Sequence, residues 1–138
     1  MVNSAILMSI RPQYAEKIFN GTKTVELRRI KPKVLHEDDL IFVYVSSPVK
    51  SLVGAFSVAS VMEKPLFPLW RSVKDSAGVS RSDFFSYFHD LEKGVAIFIK
   101  NVWFLPKPIH LSDLQREVKS FHPPQNFRYT SIQQINSL

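Results

Sequence analysis

The sequence predicts an α+β fold: a small, strongly curved β-sheet or barrel with short helices packed on its ends. Three observations lead there. Segments rich in β-branched and aromatic residues outnumber long helical ones. Strands and helices do not follow the regular alternation of a parallel α/β sheet. Gly54, near the start of a long apolar stretch, marks a bulge or a barrel corner. At 138 residues the chain is long enough to bury a core without staples, and no repeat, low-complexity tract or linker divides it, so residues 1–138 read as a single domain.

Ala5–Ile10 is apolar enough for a buried first strand. Pro12 suits the first turn of a helix, where its missing N–H leaves no bond unmade. Tyr14, Ala15, Ile18 and Phe19 then repeat at helical spacing, and Asn20–Gly21 supplies a left-handed stop. In the next strand alternation sends Val25 and Leu27 to one face and Thr24, Glu26 and Arg28 to the other. Ile30–Glu37 is a polar link. Leu40–Val45 reads as a central strand ended by Ser46–Ser47–Pro48, and Leu52–Met62 as a long strand broken by Lys64–Pro65. Pro68 opens a short helix carrying Leu69, Trp70 and Val73. Ser80-x-x-Asp83 forms a capping signal before Phe84, Phe85, Phe88 and Leu91, an aromatic face that Gly94 is expected to end. Val95–Leu105 is a further strand, closed by Pro106 and Pro108. Ser112-x-x-Gln115 caps a last short helix, and Phe121–Tyr129 reads as a compact loop.

Composition narrows the function. No apolar run approaches a bilayer span, Ala5–Ile10 is too short for a secretory signal, and no basic stretch carries a broad apolar helical face, so a membrane is not the expected partner. Cysteine is absent, which excludes disulfides and thiolate metal sites and fits a cytoplasmic setting. The formal charge is +6, and residues 1–35 hold seven Lys or Arg against Glu16 and Glu26. A basic face concentrated there favours a polyanion, nucleic acid first. At its centre Glu26 and Arg28 share one strand face, with Lys23 just before the strand. The bland reading is a solvated outer face; the sharper one is a polar cleft in which the acid and the cations orient one another around an anionic ligand.

Leu7–Met8–Ser9–Ile10–Arg11–Pro12–Gln13–Tyr14–Ala15, Ile18 and then Gly21-x-Lys23-Thr24-x-Glu26-x-Arg28 resemble the ASCH domain, a branch of the PUA-like superfamily. In that family a strand and a short helix precede G-x-K-T-x-E-x-R on the next strand. Tyr44–Val45–Ser46–Ser47–Pro48 followed by Val53–Gly54 is similar to the family's second and third strands, and Pro123–Pro124–Gln125–Asn126–Phe127–Arg128–Tyr129 to a C-terminal P-P-Q-S-F-x-Y. The resemblance runs from end to end. It implies a pseudobarrel of five to six strands with short helices inserted between strands, and a cleft beside the first helix that holds the motif. It also implies a tie to RNA. Members include proteins assigned ribonuclease activity, small enzymes that deacetylate modified cytidine, and domains of transcription coactivators; fold alone does not choose among these.

Several residues carry the expected chemistry. Lys23 and Arg28 offer a point charge and a planar fork to phosphate or a base edge, with Thr24 and Ser46 beside them as further ligand contacts. Glu26 either neutralises Arg28 or acts as a base. Tyr44 and Lys50, brought to one rim by the bend at Ser46–Ser47–Pro48, form a second constellation in which the lysine lowers the phenol's pKa and makes proton transfer easier. Asn126, Arg128 and Tyr129 are expected to close the cleft as a lid. Asn126 stands where the matched tail has serine. Trp70 and Phe67 are either core or base-stacking groups. In the family's acetylcytidine amidohydrolases the proposed nucleophile is a threonine three residues beyond the motif lysine; that position is Glu26 here, which counts against the activity. The four histidines show no ligand spacing, and no cofactor is implied, with Mg²⁺ at Glu26 the one metal left open.

The leading expectation is an RNA-binding domain that holds single-stranded RNA or a nucleotide in a basic cleft. If it turns over a substrate, RNA cleavage by Tyr44, Lys50 and Glu26 ranks above deacylation of a nucleoside. A coregulator adaptor that docks a protein on the Leu66–Leu91 insertion is the reading from another class. The sequence does not state an oligomeric state.

Overall fold

A computed structural model describes residues 4–131. The element order is β1 (Ser4–Ile10), α1 (Pro12–Phe19), β2 (Val25–Arg28), β3 (Leu40–Val45), β4 (Ser51–Pro65), α2 (Leu66–Val73), α3 (Arg81–Tyr87), β5 (Lys93–His110), α4 (Leu111–Glu117) and β6 (Phe127–Ser131). The strands form one mixed sheet in the order β2-β5-β4-β3-β1-β6, not closed into a full barrel. β1 and β3 run parallel while the other neighbours are antiparallel. Between β1 and β3 the chain passes through α1 and leaves β2 at the far edge of the sheet.

Parallel strands covered on both faces read as nearly continuous apolar runs, and β1 and β3 do so. Alternation sorts them. Ile6, Met8 and Ile10 of β1 with Ile41, Val43 and Val45 of β3 pack under Ala15 and Ile18 of α1. Leu7, Phe42 and Tyr44 point the other way, toward Leu114 of α4 and Phe121. A third cluster joins Val25 and Leu27 of β2 to Leu69, Val73, Phe84 and Phe88 of α2 and α3, so the faces expected for Val25 and Leu27 hold.

Four local expectations are corrected. β5 runs through Pro106 and Pro108 to His110. β2 covers β5 only over Val95–Phe98, and among the described residues no strand pairs the outer edge at Pro106 and Pro108, so a missing N–H breaks no ladder bond there. The register steps from Gly54↔Phe104 to Leu52↔Ile109, a bulge that takes up the prolines, and Gly54 is the bulge position anticipated. Gly94 does not end α3, which stops at Tyr87; it lies in β5, where a Cβ would stand 2.7 Å from the Phe88 ring. Close packing, not helix termination, requires that glycine. α4 is capped by His110, whose Nδ1 accepts from the Ser112 N–H at 3.1 Å, not by Ser112. Finally, the tail is not all loop: β6 pairs antiparallel with β1, Phe127 opposite Met8 and Arg128 opposite Leu7. At α3 the cap is as read, with Ser80 Oγ accepting from the Asp83 N–H at 3.0 Å.

Candidate functional site

Because Val25 and Leu27 are committed to the third cluster, the pleat turns Glu26 and Arg28 to the opposite face of β2. That face floors a cleft of about 930 Å³. Lys23 joins them from the turn before the strand, held there by backbone bonds from Lys23 N to Lys17 O (3.0 Å) and from Thr24 N to Ser76 O (2.9 Å). All three charges are buried: Lys23 is 2% exposed, Glu26 5% and Arg28 8%. Glu26 lies between the cations, 3.8 Å from Lys23 Nζ and 3.1 Å from Arg28 Nη1. Lys23 also donates to Ala77 O and sits 5.3 Å from the Tyr14 ring centre. Arg28 donates to Ser9 O at 3.3 Å and to Asn126 Oδ1, so its guanidinium spans the seam between the edge strand β2 and β1 with the tail. Its Nε has no partner among the described residues.

Two buried cations share one carboxylate, and the excess positive charge has been taken out of water at considerable cost. Burial accordingly pushes the Lys23 pKa below the ordinary lysine value; Glu26 opposes the shift, and Lys17 and Arg28 add to it. An anion entering the cleft supplies the compensation that the protein lacks. Both oxygens of Glu26 face cations, and the described residues contain no group of three or more His, Cys, Asp or Glu side chains able to hold a metal.

The walls come from α1, α3 and the tail. Tyr87 of α3 donates from its hydroxyl to Leu27 O at 3.2 Å, and its own carbonyl accepts from Arg29 Nη1 at 2.7 Å. These bonds pin α3 against β2, and burial raises the Tyr87 phenol's pKa. Across the cleft Ser9 fixes the tail, its Oγ donating to Pro124 O at 2.6 Å and its N–H to Asn126 O at 3.1 Å.

Of the residues expected from sequence, Lys23, Glu26, Arg28, Ser46 and Asn126 line this one cleft. Thr24 does not; it precedes β2 and is exposed. Tyr44 is buried in the second cluster, its ring 6.5 Å from Phe121 and its hydroxyl without a hydrogen bond among the described residues. Lys50 is exposed on the turn that follows, at φ +51°. The phenol's pKa is raised by burial, not lowered by a lysine. Arg128 and Tyr129 belong to β6 and not to a lid: the guanidinium lies 4.9 Å from the Phe121 ring, and the Tyr129 hydroxyl accepts from the Val34 N–H at 3.0 Å. Trp70 packs on Phe84 and Phe85, and Phe67 on Phe85; neither Trp70 nor Phe67 lines the cleft. The sequence reading missed Arg11, Tyr14, Asp83 and Tyr87 as cleft-lining groups. Tyr14 sat inside the recognised helix pattern, while no local signal marks Tyr87, whose place depends on how α3 docks on β2.

A family model described as ASCH domain matches residues 8–115. A Zymomonas mobilis protein named ASCH domain-containing ribonuclease is 28% identical over 132 residues, covering 96% of this chain and 88% of that protein. The crystal structure of ASCH from Zymomonas mobilis superposes with a TM-score of 0.88 at 28% identity, covering 97% of this chain and 94% of that one. Large ribosomal subunit protein uL22 of Ureaplasma parvum is 28% identical over 127 residues, covering 90% of this chain but 38% of that protein. The six-stranded mixed sheet with four short helices is the PUA-like fold of these solved neighbours, and the buried charges of β2 stand where the motif is read. The chain belongs to the ASCH domain family.

Proposed function

We propose that this ASCH domain binds single-stranded RNA, seating a nucleotide and its phosphate in the cleft floored by Lys23, Glu26 and Arg28. One observation carries the reading: buried positive charge in excess of buried negative charge at the bottom of an open cleft. Phosphate meets that deficit with a full charge and several acceptor oxygens, which arginine and lysine bind in complementary ways. A volume of about 930 Å³ suits a nucleotide-sized group, and the ring of Tyr14 offers a surface on which a base can stack. The overall charge of +6 adds long-range attraction for a polyanion. The Zymomonas mobilis relative's name supports RNA as the polymer. A cytoplasmic site of action fits a chain without cysteine and without a helix, among the described residues, long and apolar enough to cross a membrane.

The test is fluorescence anisotropy with a labelled single-stranded RNA. Binding at low salt, weakening with a log–log slope of about 0.7 per phosphate neutralised, is expected. No binding at low salt, or binding indifferent to salt, overturns the reading.

Cleavage of the bound strand is the second reading, favoured by the relative's ribonuclease name. Of its three sequence candidates Glu26 alone lies on the floor, so Tyr44 and Lys50 are the discriminating positions. Loss of cleavage in Tyr44→Phe or Lys50→Ala, with binding retained, supports their catalytic role; cleavage unchanged in both removes it. Deacylation of a nucleoside is disfavoured, because the motif hydroxyl of Thr24 is outside the cleft.

A further inference from the structure

One carboxylate at the rim of the cleft is solvent-exposed and has no partner among the described residues. Two acids line it: Glu26, held between Lys23 and Arg28, and Asp83, which forms no ion pair and whose carboxylate accepts no hydrogen bond among the described residues. Asp83 stands in the first turn of α3, a position where an acid stabilises a helix, and that structural role needs none of its acceptor capacity. It also borders a neighbouring hollow of about 510 Å³, which shares Gln13, Tyr14, Val79 and Asp83 with the cleft. A ligand is therefore offered two unlike ends: a cationic floor, and a wall that carries an exposed carboxylate and an aromatic ring.

We propose that Asp83 reads the base of the bound RNA and that guanine is the base it selects. The inference rests on the RNA reading above. Asp83 repels phosphate, so the phosphate goes to Lys23 and Arg28 and the base is left toward the wall. An ionised carboxylate only accepts hydrogen bonds. Guanine presents N1–H and its 2-amino group side by side, one donor for each carboxylate oxygen. Adenine and cytosine present one amino group beside a ring nitrogen whose lone pair faces the second oxygen. Uracil presents a single N–H between two carbonyls. The order of affinity is guanine, then adenine and cytosine, then uracil.

The experiment measures binding of labelled pentanucleotides UUXUU, with X each of the four bases, at one low salt concentration. UUGUU is expected to bind roughly 5- to 100-fold tighter than UUUUU, the range of a good bidentate base contact. Asp83→Asn should collapse that ratio toward one, since an amide presents a donor where guanine needs an acceptor. Asp83→Glu should retain part of it. A merely structural role for Asp83 would weaken all four ligands together and leave the ratio intact. Equal binding of all four by the native chain overturns the base-reading role and leaves the RNA cleft standing, as does a ratio that survives in Asp83→Asn. Failure of every pentanucleotide to bind overturns both.

Discussion

The polar face of β2 and the Tyr44 face of β3 are both buried, yet the first carries Glu26 and Arg28, joined by Lys23 from the preceding turn, and the second hydrocarbon and a phenol with no hydrogen bond among the described residues. The difference is strand position. β2 lies at the edge of the sheet, with β5 as its one ladder neighbour, and its polar face opens on a hollow that an anion can enter. β3 lies between β4 and β1 and is covered on both faces by apolar clusters. A charged row survives burial where its neighbours are hydrogen-bonding groups and an open cleft; in the middle of the sheet, covered on both faces, the strand is hydrocarbon with one aromatic alcohol.

The comparison breaks most visibly at Arg28. Replacing it with Leu removes the donor to Ser9 and Asn126 that spans the seam and leaves Glu26 with Lys23 alone at 3.8 Å. A loss of about 3–5 kcal/mol in urea denaturation is expected. If Arg28→Leu costs no more than a surface change, the seam is not held by that side chain.

Binding should separate the two regions next. Lys23→Met is expected to weaken single-stranded RNA at least ~10-fold at low salt and to flatten the salt dependence by about 0.7. Lys50→Ala, on the exposed turn beyond the Tyr44 face, should change affinity less than about twofold. Equal losses in anisotropy titrations would mean that the ligand spans both regions.

A pH titration of stability sharpens the same contrast. Lys23 has a folded pKa below its unfolded value of 10.5 because of burial. Between the two values the unfolded chain binds more protons, so this group makes the protein more stable as pH rises toward 10.5. Tyr44 and Tyr87 have raised pKa values and act in the opposite sense, costing stability as pH climbs above 10. Subtracting the urea-denaturation profile of Lys23→Met from that of the native chain isolates the lysine; a flat difference up to 10.5 would contradict its burial as a cation. The smallest effect is at Tyr44 itself. Its hydroxyl has no bond to lose among the described residues, and Tyr44→Phe should alter stability by less than about 0.5 kcal/mol.

Much of the fold was legible because its signals are local. Pro12 and Asn20–Gly21 delimit α1, Ser80 caps α3, Leu40–Val45 is a strand end to end, and Gly54 sits at a bulge. The misreadings share one cause: each local rule met a partner distant in sequence. Pro106 and Pro108 do not stop β5, because among the described residues no strand lies along that edge. Gly94 serves the Phe88 ring. β6 exists because β1 offers it an open edge, which nothing in Phe127–Ser131 announces.

The cleft divides in the same way. By itself the sequence determined that Glu26 and Arg28 would share one side of a strand, since a two-residue period leaves no alternative once Val25 and Leu27 seek the core; Lys23, of the opposite parity, reaches that side only from the turn before β2. Only the tertiary structure decided that this side would be roofed by α1 and α3 and joined by Asn126, ninety-eight residues from Arg28. It also buried Tyr44 and left Lys50 exposed. Alternation fixes which side chains travel together, whereas the depth of water above them depends on which elements pack alongside.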